Sequence, residues 1–581
     1  MNTAVTIVFG FVTAIAISIV LVPLVVRLAA VYQLYDAPDS LSANHTSRKV
    51  HTIPTPRLGG IAIVLSFLLT QLIWIKSSAL PGVFLGGFAV FLVGVADDII
   101  AIKPLVRFLL QCVFAGFAVL YHDLIPRFID LGFGMSLQLP WLLGFPFSVF
   151  VIVGSINTIN MIDGLDGLAG GVALIGVALL SFLYFRNSQD LGLILYISCP
   201  MLGAILGFLR YNTHPAVIFM GDGGSNWLGY MIGSIMLLLL AGKHIGENAI
   251  SLVSVPALPL FSVVLCLAIP VFDTALVMAG RIRRGMNPMT ADKTHLHHAL
   301  LEVGLSHPQA VSALYFLALL VGVIGILPVA FPGYNLDFAP YIGILIVFAF
   351  VLIASRINMD RTIGFFAKRA KVRDHSGYGY LVKLIRNWEN FNRYLLYAIL
   401  LAGPAFAGAV RMDVGIASAA VALLIVISII LGASNYRDDF LDSACVALAA
   451  TVLLIANNSN TMMVEWGGDR LSIHPLYNFL FILLLVSTVL LFLTTVKKRY
   501  FIFTPSDFLL AAVPLILLIV PEPYKSDYRI NIISLRTIVV FTAVRILAKR
   551  KGYVMAHVKG VALVALLFVF LAGVYGLRIV Y

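Results

Sequence analysis

The amino-acid sequence predicts an all-α polytopic membrane protein, and three observations carry that fold class. First, 61% of the 581 residues are hydrophobic and only 11% are charged, against roughly 45–50% and about 25% in a soluble globular chain. Second, apolar runs of the roughly 20 residues that a spanning helix needs recur along the whole chain. Third, the basic residues between those runs fall mostly on alternate loops. With a mean hydropathy of +1.01, an aqueous fold of this length could not bury its apolar surface, so lipid is the expected solvent. A soluble fold is thereby excluded. The net charge of +12 reads as basic loops facing anionic lipid and anionic substrates, and no nucleic-acid partner is expected.

Taken in order, the first span falls at 4–26. Its apolar run is longer than a signal-peptide core, no basic segment precedes it, and Arg27 follows. Further spans fall near 59–75, 81–96, 105–121, 143–160, 168–185, 190–209, 224–241, 252–280, 309–329 and 340–355. A basic stretch, 356–393, comes next, then spans near 394–410, 413–433, 442–456, 475–495, 504–520, 531–547 and 557–577. The expected organisation is a unit of about eleven spans over residues 1–355, a basic cytoplasmic linker, and a unit of about seven spans over 394–581. With the N-terminus outside, loops after odd-numbered spans hold Arg27, Arg48, Lys49, Arg57, Lys103, Arg210, Arg281, Arg283, Arg284 and Lys293. The opposite loops of that unit hold only Lys76, Arg127, Arg186 and Lys243, so the richer set belongs in the cytoplasm. Cys112, Cys199, Cys266 and Cys445 lie in apolar runs without CxxC or CxH spacing and read as packing residues.

The polar residues of the first 300 positions gather on the cytoplasmic side, in five loops. These are Arg48–Gly60, with Lys49 and His51; Asp97-Asp98; Asn157–Gly167; Asn212–Ser225; and Asp292–His298. Ionisable groups at membrane spans are costly, and are retained where they are paired or functional. Asp97 and Asp98 end an apolar run; neighbouring carboxylates resist joint ionisation, which suits a base or a metal ligand, although a pair capping the next helix would look the same. Asn157, Asn160 and Asp163 recur every three residues and share one face of a helix end, with Asp166 following; these are more amides and carboxylates than capping requires. Asp222, in a glycine-rich connector, suits a hard oxygen site for magnesium and phosphate, or else an N-cap. His295, His297 and His298, with spacing i, i+2, i+3, do not make a zinc pattern; with Lys293, Arg281 and Arg284 they read as phosphate donors, or as a solvated basic loop.

At these stretches the chain resembles the polyprenyl-phosphate N-acetylhexosamine-1-phosphate transferase family. The matching residues are Lys49, His51, Pro56 and Gly59-Gly60; Asp97-Asp98; Asn157-x-x-Asn160-x-x-Asp163-Gly-x-Asp166-Gly-Leu-Ala; Asn212, Pro215-Ala216 and Phe219-Met220-Gly221-Asp222-x-Gly224-Ser225; Pro270 and Asp273-Thr274; and Asp292-x-x-His295-x-His297-His298. The last of these is similar to the undecaprenyl-phosphate N-acetylglucosamine-1-phosphate transferase branch. One position departs: Ala101 stands where the family often has a polar residue, with Lys103 two positions on. The resemblance implies eleven helices and a cytoplasmic active site that uses Mg2+, with Mn2+ as an alternative. It implies Asp222 as metal ligand, Asp97 assisting the attacking lipid phosphate, and Asp98, Asp163 and Asp166 as catalytic carboxylates shaping the metal and nucleotide site. Lys49, His51, Asn157, Asn160, Asn212, Arg281, Arg284, His295, His297 and His298 are the expected substrate-binding set. The implied substrates are a UDP-N-acetylhexosamine and undecaprenyl phosphate in the bacterial inner membrane. A homodimer and downstream glycan-assembly proteins are the remaining partner expectations.

The rival class is a transporter or lipid-linked glycan flippase, which would place polar residues near the bilayer midplane within matching repeats. Here they collect at one interface and no repeat is evident. The role of 394–581 is not legible. Its polar features, Asn435–Asp439 and Glu465–Arg470, read as ordinary loops.

Overall fold

The computed structural model describes residues 3–36, 54–74, 80–100, 102–188, 193–245, 252–254, 257–286, 295–302, 305–331 and 334–356, and further on 390–401, 410, 412–432, 439–456, 463–466, 469–472, 479–484, 487–488, 530–550 and 553–575. The chain forms two compact units, Thr13–Met359 and Met1–Val12 with Asp360–Tyr581. Lys49, His51 and most of the basic stretch 356–393 lie outside the described residues, as does the expected span near 504–520.

The protein is all-α and polytopic. Among the described residues nine helices are long and apolar enough to cross a membrane, eight of them before residue 331. In chain order the helices of the first unit are α1 Thr3–Val31, α2 Gly59–Trp74, α3 Pro81–Ile100, α4 Pro104–Tyr121, α5 Trp141–Ile162, α6 Leu168–Ser188, α7 Leu193–Asn212, α8 Gly221–Leu240, α9 Leu260–Val264, α10 Ala268–Arg283, α11 Leu296–Glu302, α12 His307–Ala330 and α13 Ala339–Arg356. A 3-10 turn at Leu265–Leu267 joins α9 to α10, so together they fill one expected span.

Local chemistry sets several boundaries. Pro81 and Pro104 open α3 and α4, where a missing N–H leaves no helical hydrogen bond unmade. At α12, Ser306 and Gln309 form a capping box, with the Ser306 N–H donating to Gln309 Oε1 at 2.9 Å. On α4, Leu105, Leu109, Val113 and Phe117 are exposed at four-residue spacing. That spacing makes one face of a helix, and an apolar face left open is the face offered to lipid.

The middle of the unit is α8, whose spanning residues are all buried against α2, α3, α5 and α6. Close approach of backbones explains how one helix accommodates four neighbours. A Cβ added to Gly60 would overlap the backbone of Gly224, and one added to Gly229 would overlap Ile156 and Ser155. Small residues at helix contacts supply dispersion energy in lipid, where apolar burial alone gives no gain. Buried hydroxyls add cross-links: Ser66 Oγ donates to the Ala14 carbonyl at 2.6 Å and Ser18 Oγ to that of Ala204 at 2.9 Å.

Three hairpins accompany the helices of the first unit among the described residues, one of them Lys243–Ile245 with Leu252–Ser254 after α8. Tyr35–Asp36 pairs with Thr55–Pro56, and the Phe219 N–H donates to the Pro56 carbonyl at 2.7 Å, tying the entry to α2 onto the entry to α8. Phe128–Gly132 pairs with Met135–Gln138 at the far ends of α4 and α5. The second unit contains helices Met412–Gly432, Asp439–Ala456, Ile530–Arg550 and Tyr553–Tyr575, packed on one another, and a hairpin of Met463–Trp466 with Asp469–Ser472. Glu465, Asp469 and Arg470 belong to that hairpin; 433–438 lie outside the described residues.

Candidate active site

One end of the first unit collects the polar side chains. The last turn of α3 supplies Asp97 and Asp98, the end of α5 supplies Asn157, Asn160 and Asp163, and the first turn of α8 supplies Asp222 and Ser225. At their meeting point is Arg107, one turn into α4. Its Nη1 donates to Asp97 Oδ2 and, at 3.1 Å, to Asp222 Oδ2. A guanidinium between two carboxylates offsets the repulsion they would otherwise feel. Asp97 Oδ1 also accepts the Ile102 N–H at 2.6 Å. Asn160 Nδ2 reaches Asp222 Oδ1 at 2.5 Å and Ser225 Oγ at 2.9 Å, so both Asp222 oxygens are held.

Asp98 has a different task. Its two oxygens accept the N–H groups of Asp222 and Gly223 at 2.9 and 3.0 Å. These are the otherwise unsatisfied donors at the start of α8, so a carboxylate from α3 caps another helix and fixes the position of Asp222. The capping reading thus applies to Asp98, at the start of α8 and not at the next helix, α4. Asp163 lies just beyond α5. Burial, then the charges of Asp222 and Asp98, push its carboxyl up to about 7, against the opposing pull of Arg57.

A second cluster joins the α5–α6 and α7–α8 linkers. Asn212 Oδ1 accepts the Gly167 N–H at 3.1 Å while its Nδ2 donates to the Ile218 carbonyl at 2.9 Å, so this buried amide braces backbone. Asp166 Oδ2 meets His214 Nδ1 at 2.7 Å and accepts the Ala216 N–H at 3.1 Å. Burial alone would raise the Asp166 carboxyl; the His214 hydrogen bond, the His307 charge and the Ala216 N–H outweigh it and hold it below the usual carboxylate range.

The histidine run makes a third cluster. Buried Asp273 accepts from His295 Nδ1 at 2.9 Å and from the Leu296 N–H at 2.7 Å, anchoring the start of α11. The His295 and His297 rings stack with centroids 5.5 Å apart, and His297 and His298 lie 4.3 Å apart. His297 packs on Gly164, where any Cβ would overlap its ring, which links this cluster to Asp163. Burial first, and then the charges of His298, His295 and His307, bring His297 down to about 3; it is a neutral imidazole that can donate but carries no charge. Arg281 is buried, and exposed Arg284 donates from Nε to the Gly280 carbonyl at 3.1 Å.

Among the expected residues, the structure thus brings together Asp97, Asp98, Asn160, Asp163 and Asp222. It places Asp166 with Asn212, and His295, His297 and His298 with Asp273. Asn157 turns elsewhere: its Nδ2 donates to Gln111 Oε1 at 3.1 Å and to the Val153 carbonyl at 2.8 Å. Arg107, His214, His307 and Asp273 were not in the expected set. For Arg107 the signal was present, because a lone arginine inside an apolar span marks a partner or a function. A magnesium ion suits this donor set, since the oxygens of Asp97 and Asp222 are hard ligands and converge on one positive charge.

The fold and site define a membrane-embedded protein with a cluster of carboxylates gathered around Arg107 at one end of its bundle. Residues 80–240 match the model of glycosyl transferase family 4. A probable undecaprenyl-phosphate N-acetylglucosaminyl 1-phosphate transferase of Bacillus subtilis is 33% identical over 323 residues, covering 55% of this chain and 83% of the relative. A decaprenyl-phosphate N-acetylglucosaminephosphotransferase of Mycolicibacterium smegmatis is 33% identical over 303 residues, 48% and 72%. An undecaprenyl-phosphate alpha-N-acetylglucosaminyl 1-phosphate transferase of Haemophilus influenzae is 30% identical over 314 residues, 52% and 82%. The chain belongs to glycosyl transferase family 4, and it is a membrane transferase.

Proposed function

We propose that the protein transfers N-acetylhexosamine 1-phosphate, with N-acetylglucosamine as the sugar, from a UDP-sugar to undecaprenyl phosphate. UMP leaves, and the lipid-linked product starts a cell-surface glycan such as O-antigen or teichoic acid. The observation that carries the reading is the convergence of Asp97 and Asp222 on Arg107, with Asn160 fixing Asp222 and Asp98 capping its helix. The names of the relatives support the sugar and the lipid.

In the reaction an oxygen of the lipid phosphate attacks the β-phosphorus of the donor. The new P–O bond forms as the bond from that phosphorus to the bridging oxygen breaks, and the electron pair leaves with UMP. Bound Mg2+, held by Asp222 with Asp97 beside it and replaceable by Mn2+, supplies neutralisation of phosphate charge. Arg107 bridges the two carboxylates, and Asn160 keeps Asp222 aimed. The anchored histidine run offers N–H donors to diphosphate or sugar oxygens as charge shifts to the leaving group. Lys49 and His51 complete the proposed substrate set. The site faces the cytoplasm of the bacterial inner membrane, where nucleotide sugars reside, with the N-terminus outside. Residues 1–355 form the transferase unit.

Purified protein given undecaprenyl phosphate, labelled UDP-N-acetylhexosamines and Mg2+ tests this. The expected result is lipid-linked product only with Mg2+ or Mn2+, reduced at least about 100-fold in Asp222→Ala. Product formation unaffected by chelator, or by that substitution, overturns the assignment of Asp222.

A further inference from the structure

Apart from the carboxylates on Arg107, Asp166, His214 and His307 form a cluster drawn from three separate segments. Asp166 lies between α5 and α6, His214 between α7 and α8, and His307 opens α12. One carboxylate oxygen and one nitrogen from each imidazole lie within 4.8 Å of one another. The two rings stack nearly parallel, centroids 4.3 Å apart and planes 21° apart. Two imidazoles stacked this closely would repel one another if both were protonated, and two neutral ones gain only ring contact from the arrangement. A shared cation explains why their nitrogens and a carboxylate are gathered at one point.

A second observation is independent of that spacing. Nε2 of His307 is shielded from solvent and has no hydrogen-bond partner among the described residues. A buried polar atom left unsatisfied is costly and calls for a partner. The surroundings are already braced as metal-site surroundings usually are. Asp166 Oδ2 is oriented by the Ala216 N–H at 3.1 Å, and Asn212 clamps the linker that carries Asp166 to the one that carries His214.

We propose that Asp166, His214 and His307 bind one transition-metal ion, separate from the magnesium proposed at Asp222. Two imidazole nitrogens and one carboxylate oxygen suit zinc or cobalt better than magnesium, which takes oxygen ligands. Ligands about 2.0–2.2 Å from one ion sit about 3.4 Å apart in a tetrahedral site, so loading exchanges the 2.7 Å Asp166–His214 hydrogen bond for bonds to the ion, draws His307 in and leaves a fourth position for water. The ion pins the start of α12 to the two linkers that position Asp163 and Asp222. Its role is to position the site, with no step of the transfer routed through it.

The test uses full-length protein in detergent, without a polyhistidine tag, stripped with chelator and reloaded with Zn2+. The expected result is one zinc per chain by elemental analysis and a rise in thermal midpoint of several degrees, both retained in Asp222→Ala. His307→Gln and His214→Gln are each expected to weaken zinc binding at least tenfold. Wild-type protein loaded with Co2+ is expected to show the visible bands of an ion bound by nitrogen and oxygen, which decides the matter even if a variant fails to fold. Zinc binding unchanged in folded His307→Gln, or a cobalt spectrum indistinguishable from aqueous Co2+, overturns the proposal.

Discussion

Asp163 stands beside three other acidic groups, and its environment makes a pH-dependent statement. Held at about 7 by burial and by the charges of Asp222 and Asp98, it keeps a proton in the folded protein that the unfolded chain releases near about 4. Its contribution to stability is therefore complete below about 4 and is lost as pH rises through about 7. Asp163→Asn cannot ionise and escapes that loss. Thermal unfolding without divalent ions should show the variant gaining on wild type between pH 5 and pH 8.5; an unchanged gap would remove the assignment. At this scale much of the site was legible. Asp97, Asp98, Asn160 and Asp222 could be picked out because carboxylates and amides at the edge of an apolar run need a reason to be there. What each one does was not legible. Nothing in Asp97-Asp98 distinguishes the partner of Arg107 from the cap of α8, because that depends on which neighbouring helix each oxygen faces.

At the scale of elements, α8 decides the geometry. It runs buried through the bundle with Asp222 in its first turn, so the position of the proposed metal ligand depends on how closely its neighbours approach. Replacing Gly229 with Val forces α5 and α8 apart where Ile156 and Ser155 now touch it. The expected cost is about 1–3 kcal/mol of stability, and Asn160 at the end of α5 should lose its hold on Asp222. The variant is predicted to unfold at lower temperature and to need more Mg2+ for half-maximal transfer. A normal Mg2+ requirement in destabilised protein would separate packing from metal placement. Helix existence and order followed from apolar length, which is why each expected span of 1–355 overlaps a helix or, near 252–280, a jointed pair that begins only at Leu260, after a strand at Leu252–Ser254. The joint at Leu265–Leu267 lies just before Pro270, which makes no hydrogen bond to the Cys266 carbonyl four residues back and whose ring crowds it, so the break had a mark in the sequence.

For the whole molecule, apolar helices and the match to a transferase family make this a multi-pass membrane enzyme, while the proposed cytoplasmic site rests on the bias of basic loops. Arg284 is exposed just past the end of α10, and its loop is expected on the side of the site, so Arg284→Cys reports that side. A membrane-impermeant maleimide should label it in inverted vesicles and not in intact cells. Labelling in intact cells would reverse the topology and separate the site from its nucleotide donor.

In the proposed reaction phosphate travels with the sugar, and a label on that phosphorus follows it. Purified protein would be given undecaprenyl phosphate, Mg2+ and UDP-N-acetylglucosamine carrying 32P in the β-phosphate. The label is expected to move into the lipid fraction with unlabelled UMP as the co-product. Label remaining in UDP while sugar enters the lipid would show transfer of sugar alone and contradict that reaction.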